Sequence, residues 1–175
     1  MLWGDFLFRR IKFELKLIGE NIPLIGLAAF LCIMGGILLW ISGGSYWFAV
    51  RVGTRGGFTL SLVGAFTLWL ICYGLVGVSL ALIGFICNAG ICCDKRCIKS
   101  FALIMISYLL MLSWYAIFFC TRLIVFPLIL LICSVLLVGI SFLLIRKTLC
   151  LLFIINLIIE IIQIYFIFFS ISILR

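Results

Sequence analysis

The stretch Leu123–Ile145, LIVFPLILLICSVLLVGISFLLI, runs from Arg122 to the Arg146-Lys147 pair without a charged residue. It is rich in leucine, isoleucine and valine on every side of a helix, so no face is set aside for water. A helix needs about 20 residues to cross some 30 Å of hydrocarbon, and this segment has that length. Its single proline, Pro127, stands near the start, where a helix tolerates it.

Working outward, four further stretches share this character: Asn21–Val50, Gly56–Cys93, Ser100–Thr121 and Thr148–Leu174, with Glu160 the single charge among them. Spans are expected near 22–41, 59–86, 98–119, 123–145 and 149–173. Of 175 residues, 68% are hydrophobic and 10% charged, against about 25% charged in an ordinary soluble domain. Mean hydropathy is +1.52. A small soluble fold cannot hide this much apolar surface, whereas a bilayer becomes the solvent for it. Backbone polar groups in lipid must pair internally, and no barrel-like alternation is present. The expected class is an all-α integral membrane protein, a five-transmembrane-helix bundle.

Residues 1–20 are too charged for a cleavable signal core. Asp5, Arg9, Lys12, Lys16 and Glu20 recur at helical spacing opposite Trp3, Phe6, Phe13 and Leu17. This predicts a short amphipathic helix in the membrane interface, turning inward at Asn21-Ile22-Pro23 into a transmembrane domain over 21–175.

The net charge of +8 is a matter of topology, not of nucleic-acid binding. With five spans, Arg9, Arg10, Lys12, Lys16, Lys95, Arg96, Lys99, Arg146 and Lys147 share one side, and Arg51, Arg55, Arg122 and Arg175 the other. The positive-inside rule then places the N-terminus in the cytoplasm and loop one outside.

Histidine is absent, which removes the commonest general base and metal ligand and a serine hydrolase of the usual triad kind. Of nine cysteines, Cys32, Cys72, Cys120, Cys133 and Cys150 are scattered through apolar helices, where cysteine behaves as a small hydrophobe. Cys87, Cys92, Cys93 and Cys97 cluster around loop two without the paired spacing of a zinc or thioredoxin-like motif. They leave open a membrane thiol oxidoreductase; structural cysteines are the plainer reading, and no metal site is expected.

Asn156, Glu160, Gln163 and Ser170 fall at helical spacing and predict a polar stripe facing the bundle interior. It serves either a ligand or interhelical packing; in the second case the chain is an assembly subunit that meets a partner through Glu160. Trp69 and Trp114 lie within spans, away from interfaces where tryptophan anchors helices, and Tyr73 shares the Trp69 face. Gly35-Gly36, Gly74, Gly77 and Ser79 permit close helix approach. Gly43-Gly44 and Gly56-Gly57 bracket a loop carrying Tyr46-Trp47-Phe48, a candidate lid.

The order of these motifs resembles the TspO/translocator-protein family, also called tryptophan-rich sensory or peripheral-benzodiazepine-receptor-like proteins. Trp69-Leu-Ile-Cys-Tyr73-Gly-Leu-Val-Gly77-Val-Ser79 is similar to the family's W-T-x-L-Y-x-x-M-G-x-S. Trp114-Tyr-Ala-Ile-Phe118-Phe119-Cys-Thr-Arg122 is similar to its N-x-x-W-x-x-x-F-F-x-x-R, with Met111 in place of the asparagine. The resemblance covers residues 25–170 in order and spacing. The family's Pro-Pro pair of loop one is missing, and the last helix carries Asn156, Glu160 and Gln163 where the family has P-Y-x-x-W-x-x-F-A.

The resemblance implies a pocket for a flat hydrophobic ligand, a porphyrin or sterol, with Trp47, Trp69, Tyr73 and Trp114 as ring contacts. Phe118, Glu160 and Gln163 join the candidate ligand-binding residues, and Arg51 and Arg55 at the mouth would pair with propionates. Without histidine, usual axial ligation of haem iron is impossible, which favours a metal-free porphyrin; no cofactor is required. Binding would serve transport, sensing or turnover, and porphyrin breakdown enters by resemblance alone. A bacterial plasma membrane is the preferred location, with a mitochondrial outer membrane the family's alternative. The close-packing glycines and the resemblance are compatible with a homodimer. The bilayer and a hydrophobic small molecule are the expected partners, and nucleic acid is not.

Overall fold

The structure is a computed structural model that describes residues 2–39, 41, 62–88, 95–121, 125–145 and 150–174. They form five helices: α1 (Leu2–Leu39), α2 (Leu62–Asn88), α3 (Lys95–Thr121), α4 (Val125–Ile145) and α5 (Cys150–Leu174). Each contains a stretch long and apolar enough to cross a bilayer: Ile18–Leu39, Gly64–Cys87, Lys95–Phe118, Val125–Leu144 and Leu151–Ile171. The chain is an all-helical, five-span bundle, multi-pass in the membrane.

Helix bounds lie within a turn of those expected. Helix α3 begins at Lys95, ahead of the expected 98 and of the charge-free stretch that begins at Ser100. Lys95, Arg96 and Lys99 occupy its first turns. Long basic side chains reach out to the headgroups, so charge does not end the helix there.

The N-terminal segment is helical from Leu2 and continuous with span one except at Asn21, whose φ of −121° and ψ of 16° leave the helical region. Pro23 is the cause. Its ring supplies no N–H to the Gly19 carbonyl and crowds that turn, and it disfavours helical geometry in Ile22. Before the break, Lys16 and Glu20 form an exposed ion pair at 3.8 Å.

Neighbouring helices run antiparallel, as their cross-contacts prove. Ser100 meets Ser141, and Ser107 meets Ser134, so residue numbers rise on α3 as they fall on α4. Likewise Ser79 of α2 meets Asn156 of α5, while Trp69 meets Phe166. Helix α2 is central: half of its most apolar window is buried inside the bundle, against 17% for α1. Helix α1 docks on α2 through small residues. A Cβ on Gly77 would fall 2.6 Å from the Ala28 carbonyl oxygen and 2.7 Å from the Ala29 Cα, so only glycine lets the two backbones touch. A Cβ on Gly36 would collide with Cδ2 and Cε2 at the edge of the Tyr73 ring.

Apart from Tyr115, buried beside Trp114, the buried residues of α3 are Cys97, Ser100, Ile104, Ser107, Met111, Trp114 and Phe118, and those of α4 are Pro127, Leu131, Ser134, Val138 and Ser141. Spacings alternate between three and four on both helices, the repeat of a coiled-coil seam. Isoleucine, leucine, valine and phenylalanine also cover the outer faces, at Ile98, Leu109, Ile129 and Leu136 for example, as expected of surface that meets lipid.

Candidate functional site

Antiparallel order sorts the interior into two halves. Trp69 lies early in α2, Trp114 and Phe118 late in α3, and Phe166 late in α5. All four therefore occupy the half of the bundle nearest the α1–α2 connection. Serine and amide side chains fill the depth below them.

Trp69 is the hub of the aromatic half. Its ring centroid lies 4.8 Å from Tyr73, 4.9 Å from Trp114, 5.3 Å from Tyr115 and 4.9 Å from Phe166. The Tyr73 and Phe166 contacts are edge-on, at 84° and 83°, the arrangement that sets a positive ring edge against a negative face. Trp114 stacks on Phe118 at 5.4 Å, one helical turn away. Trp69, Tyr73, Trp114 and Phe118 are each at most 2% exposed. The four ring residues singled out in the sequence within described helices thus form one cluster. Tyr115 and Phe166 belong to it as well and were not anticipated. The signal for Tyr115 was only its place beside Trp114.

The rings pack on one another. The Trp69 indole N–H and the Tyr73 hydroxyl in the cluster are buried with no hydrogen-bond partner among the described residues. Buried polar groups are nearly always paired in proteins, so such donors mark a place of chemical interest.

Below the rings, Gln163 donates to the Ser134 hydroxyl at 3.1 Å and approaches the Met111 sulfur at 2.8 Å. Ser134 meets the Ser107 hydroxyl at 2.7 Å. One layer further, Ser79 donates to the Asn156 carbonyl oxygen at 2.9 Å, and Ser100 meets Ser141. Asn156, Gln163 and Ser170 are fully buried, so three members of the α5 polar stripe face inward. The Asn156 amide nitrogen and the Gln163 amide oxygen find no partner among the described residues.

Glu160 stands apart from them. It is half-buried on the flank of α5 that faces α4, where a Cβ added to Gly139 would come 3.2 Å from its Oε1. The structure does not bring it into the aromatic cluster.

Trp47, Arg51, Arg55, Cys92 and Cys93 lie outside the described residues. Cys87 is half-buried near the end of α2, and Cys97 is buried in the first turns of α3. Among the described residues, no three His, Cys, Asp or Glu side chains gather to hold a metal ion.

Comparison with protein families, curated proteins and solved structures gives no match.

Proposed function

We propose that this five-helix membrane protein binds a flat hydrophobic ligand, of porphyrin or sterol type, at the Trp69–Trp114 cluster, in the manner of the TspO/translocator-protein family. The observation that carries the reading is the hub itself. Rings from α2, α3 and α5 converge on Trp69 in the half of the bundle where α2 begins, and the Trp69 N–H and Tyr73 O–H are buried there unpaired among the described residues. Ligand sites are mostly apolar and aromatic, with a few polar groups that fix orientation. A macrocycle has to part the rings to enter, so binding exchanges ring–ring stacking for ring–ligand stacking. That makes Trp69, Tyr73, Trp114 and Phe118 the contacts, with Gln163 at the floor. Trp47 would close the lid, and Arg51 or Arg55 would pair with acidic substituents at the mouth.

The basic residues support an orientation with the N-terminus in the cytoplasm and loop one, hence the ligand's entrance, on the opposite side. A plasma membrane of a bacterium is the setting this reading prefers. Whether binding leads to transport, sensing or turnover follows from the ligand's fate.

The test is a titration of detergent-purified protein with protoporphyrin. Tryptophan quenching and porphyrin absorbance are followed for the wild type and for Trp69→Phe/Trp114→Phe. Saturable quenching with a midpoint of about micromolar order, weakened in the double variant, is expected, corresponding to about 8 kcal/mol. Linear quenching that ignores the substitutions would mean partitioning into the micelle and would overturn the proposal.

A further inference from the structure

Glu160 lies near the middle of the span Leu151–Ile171, on the flank of α5 that faces Gly139 of α4. No hydrogen bond or ion pair engages it among the described residues. A carboxyl group at that depth is costly in hydrocarbon, and such groups ordinarily pair with another charge or face a polar interior. This one does neither among the described residues.

The surface around it has the shape a helix requires. On α4, Leu136, Ile140 and Leu143 are exposed at successive turns, and on α5 so are Leu157, Ile161 and Ile164. Two apolar ridges thus flank a line that has glycine, the smallest residue, on one side and the carboxyl on the other, the relief into which a third helix packs. Charge decides what that helix carries. Within the described spans of this chain, the only basic residues are Lys95, Arg96 and Lys99 in the first turns of α3. None stands at mid-depth, so a second copy offers no ion-pair partner.

We infer that the Gly139–Glu160 flank of α4 and α5 is a docking surface for a transmembrane helix of a different protein that carries a lysine or arginine near its middle. The carboxylate accepts hydrogen bonds from the basic group, and Gly139, lacking a side chain, leaves the room in which that carboxylate lies. The inference does not rest on the ligand proposal, which uses the adjoining interior face of α5.

Full-length protein, donor-labelled at its N-terminus, is reconstituted in phosphatidylcholine vesicles. It is mixed with acceptor-labelled synthetic Leu/Ala helices of about 20 residues that carry either one central arginine or leucine there. Energy transfer should show the arginine helix associating about tenfold more strongly than the leucine helix. Glu160→Gln, which keeps the side chain's shape, should abolish that preference while thermal stability holds. Gly139→Val should weaken association of the arginine helix with the carboxylate still in place. Equal association of both helices with wild type would overturn the inference, as would a preference that persists in Glu160→Gln. Transfer between wild-type copies that Glu160→Gln removes would make the occupant a second copy and overturn it too.

Discussion

Ser107 and Ser134 meet hydroxyl to hydroxyl at 2.7 Å across the seam between α3 and α4, and Gln163 of α5 donates to the same Ser134 oxygen at 3.1 Å. One small hydroxyl therefore ties three helices. Lipid tails are as apolar as leucine, so burying leucine between helices gains little in a bilayer. Close packing and hydrogen bonds take over that role. Serines seven residues apart on both helices, Ser100 with Ser107 and Ser134 with Ser141, provide both along the seam.

Ser134→Ala should destabilise the bundle by about 1–2 kcal/mol, because it removes the hydroxyl to which Gln163 donates and which Ser107 meets. Ser113→Ala is the matched control. Ser113 is exposed and donates to the Leu109 carbonyl of its own helix at 2.8 Å, so its loss should be within about 0.5 kcal/mol of neutral. Unfolding in mixed micelles with increasing SDS content measures both. Equal effects would show that the three-helix junction contributes nothing.

Gly77 and Gly84 lie one heptad apart on α2 with opposite surroundings. A Cβ on Gly77 would lie 2.6–2.8 Å from the Ala28-Ala29 backbone, whereas one on Gly84 would meet nothing within 4 Å among the described residues. Gly77→Val should force α1 away from α2 and cost about 1–3 kcal/mol as overpacking. Gly84→Ala should be neutral or gain up to about 1 kcal/mol from helix propensity. Thermal melts followed by circular dichroism separate the two outcomes.

The five spans were legible because length and charge alone decide them. The interior was legible only in part. In a soluble helix an apolar stripe points to the core, but here Ile104 inside and Ile106 outside are equally apolar. Hydrophobicity therefore does not mark the inner face; small and polar residues do. The stripe of Asn156, Gln163 and Ser170 was readable for that reason, and so were Gly36 and Gly77. Glu160 shared their periodicity, yet a step of four from Asn156 carries it about 40° around the helix, enough to leave the interior for the α4 flank. Phe166 in the cluster had no signal, because nothing separates it from Phe168, which is exposed.

Trp69→Ala should cost about 3–5 kcal/mol, since it opens a cavity among four rings, whereas Trp69→Phe should retain most of the packing. A double-mutant cycle of Trp69→Leu with Phe166→Leu should return a coupling of about 0.5–1.5 kcal/mol, the value of an edge-on ring pair beyond its area. Independent effects would mean that the 4.9 Å contact carries no energy of its own.

Cys133 and Cys72 test where the bilayer meets the bundle. Cys133 is exposed on α4 beside Ile132 and Leu136, and Cys72 is 0% exposed in α2. In detergent, a bimane maleimide should label a variant that keeps only Cys133, and should label a Cys72-only variant only after unfolding. After reconstitution, bimane on Cys133 should be quenched by lipids brominated along the chain and spared by aqueous iodide. The reason is geometric: the outer face of α4 lies well inside the span Val125–Leu144, where hydrocarbon excludes iodide and presents bromine. Efficient iodide quenching would place that face against water, and the apolar exterior of α4 would then have to be covered by another protein or line an aqueous cleft.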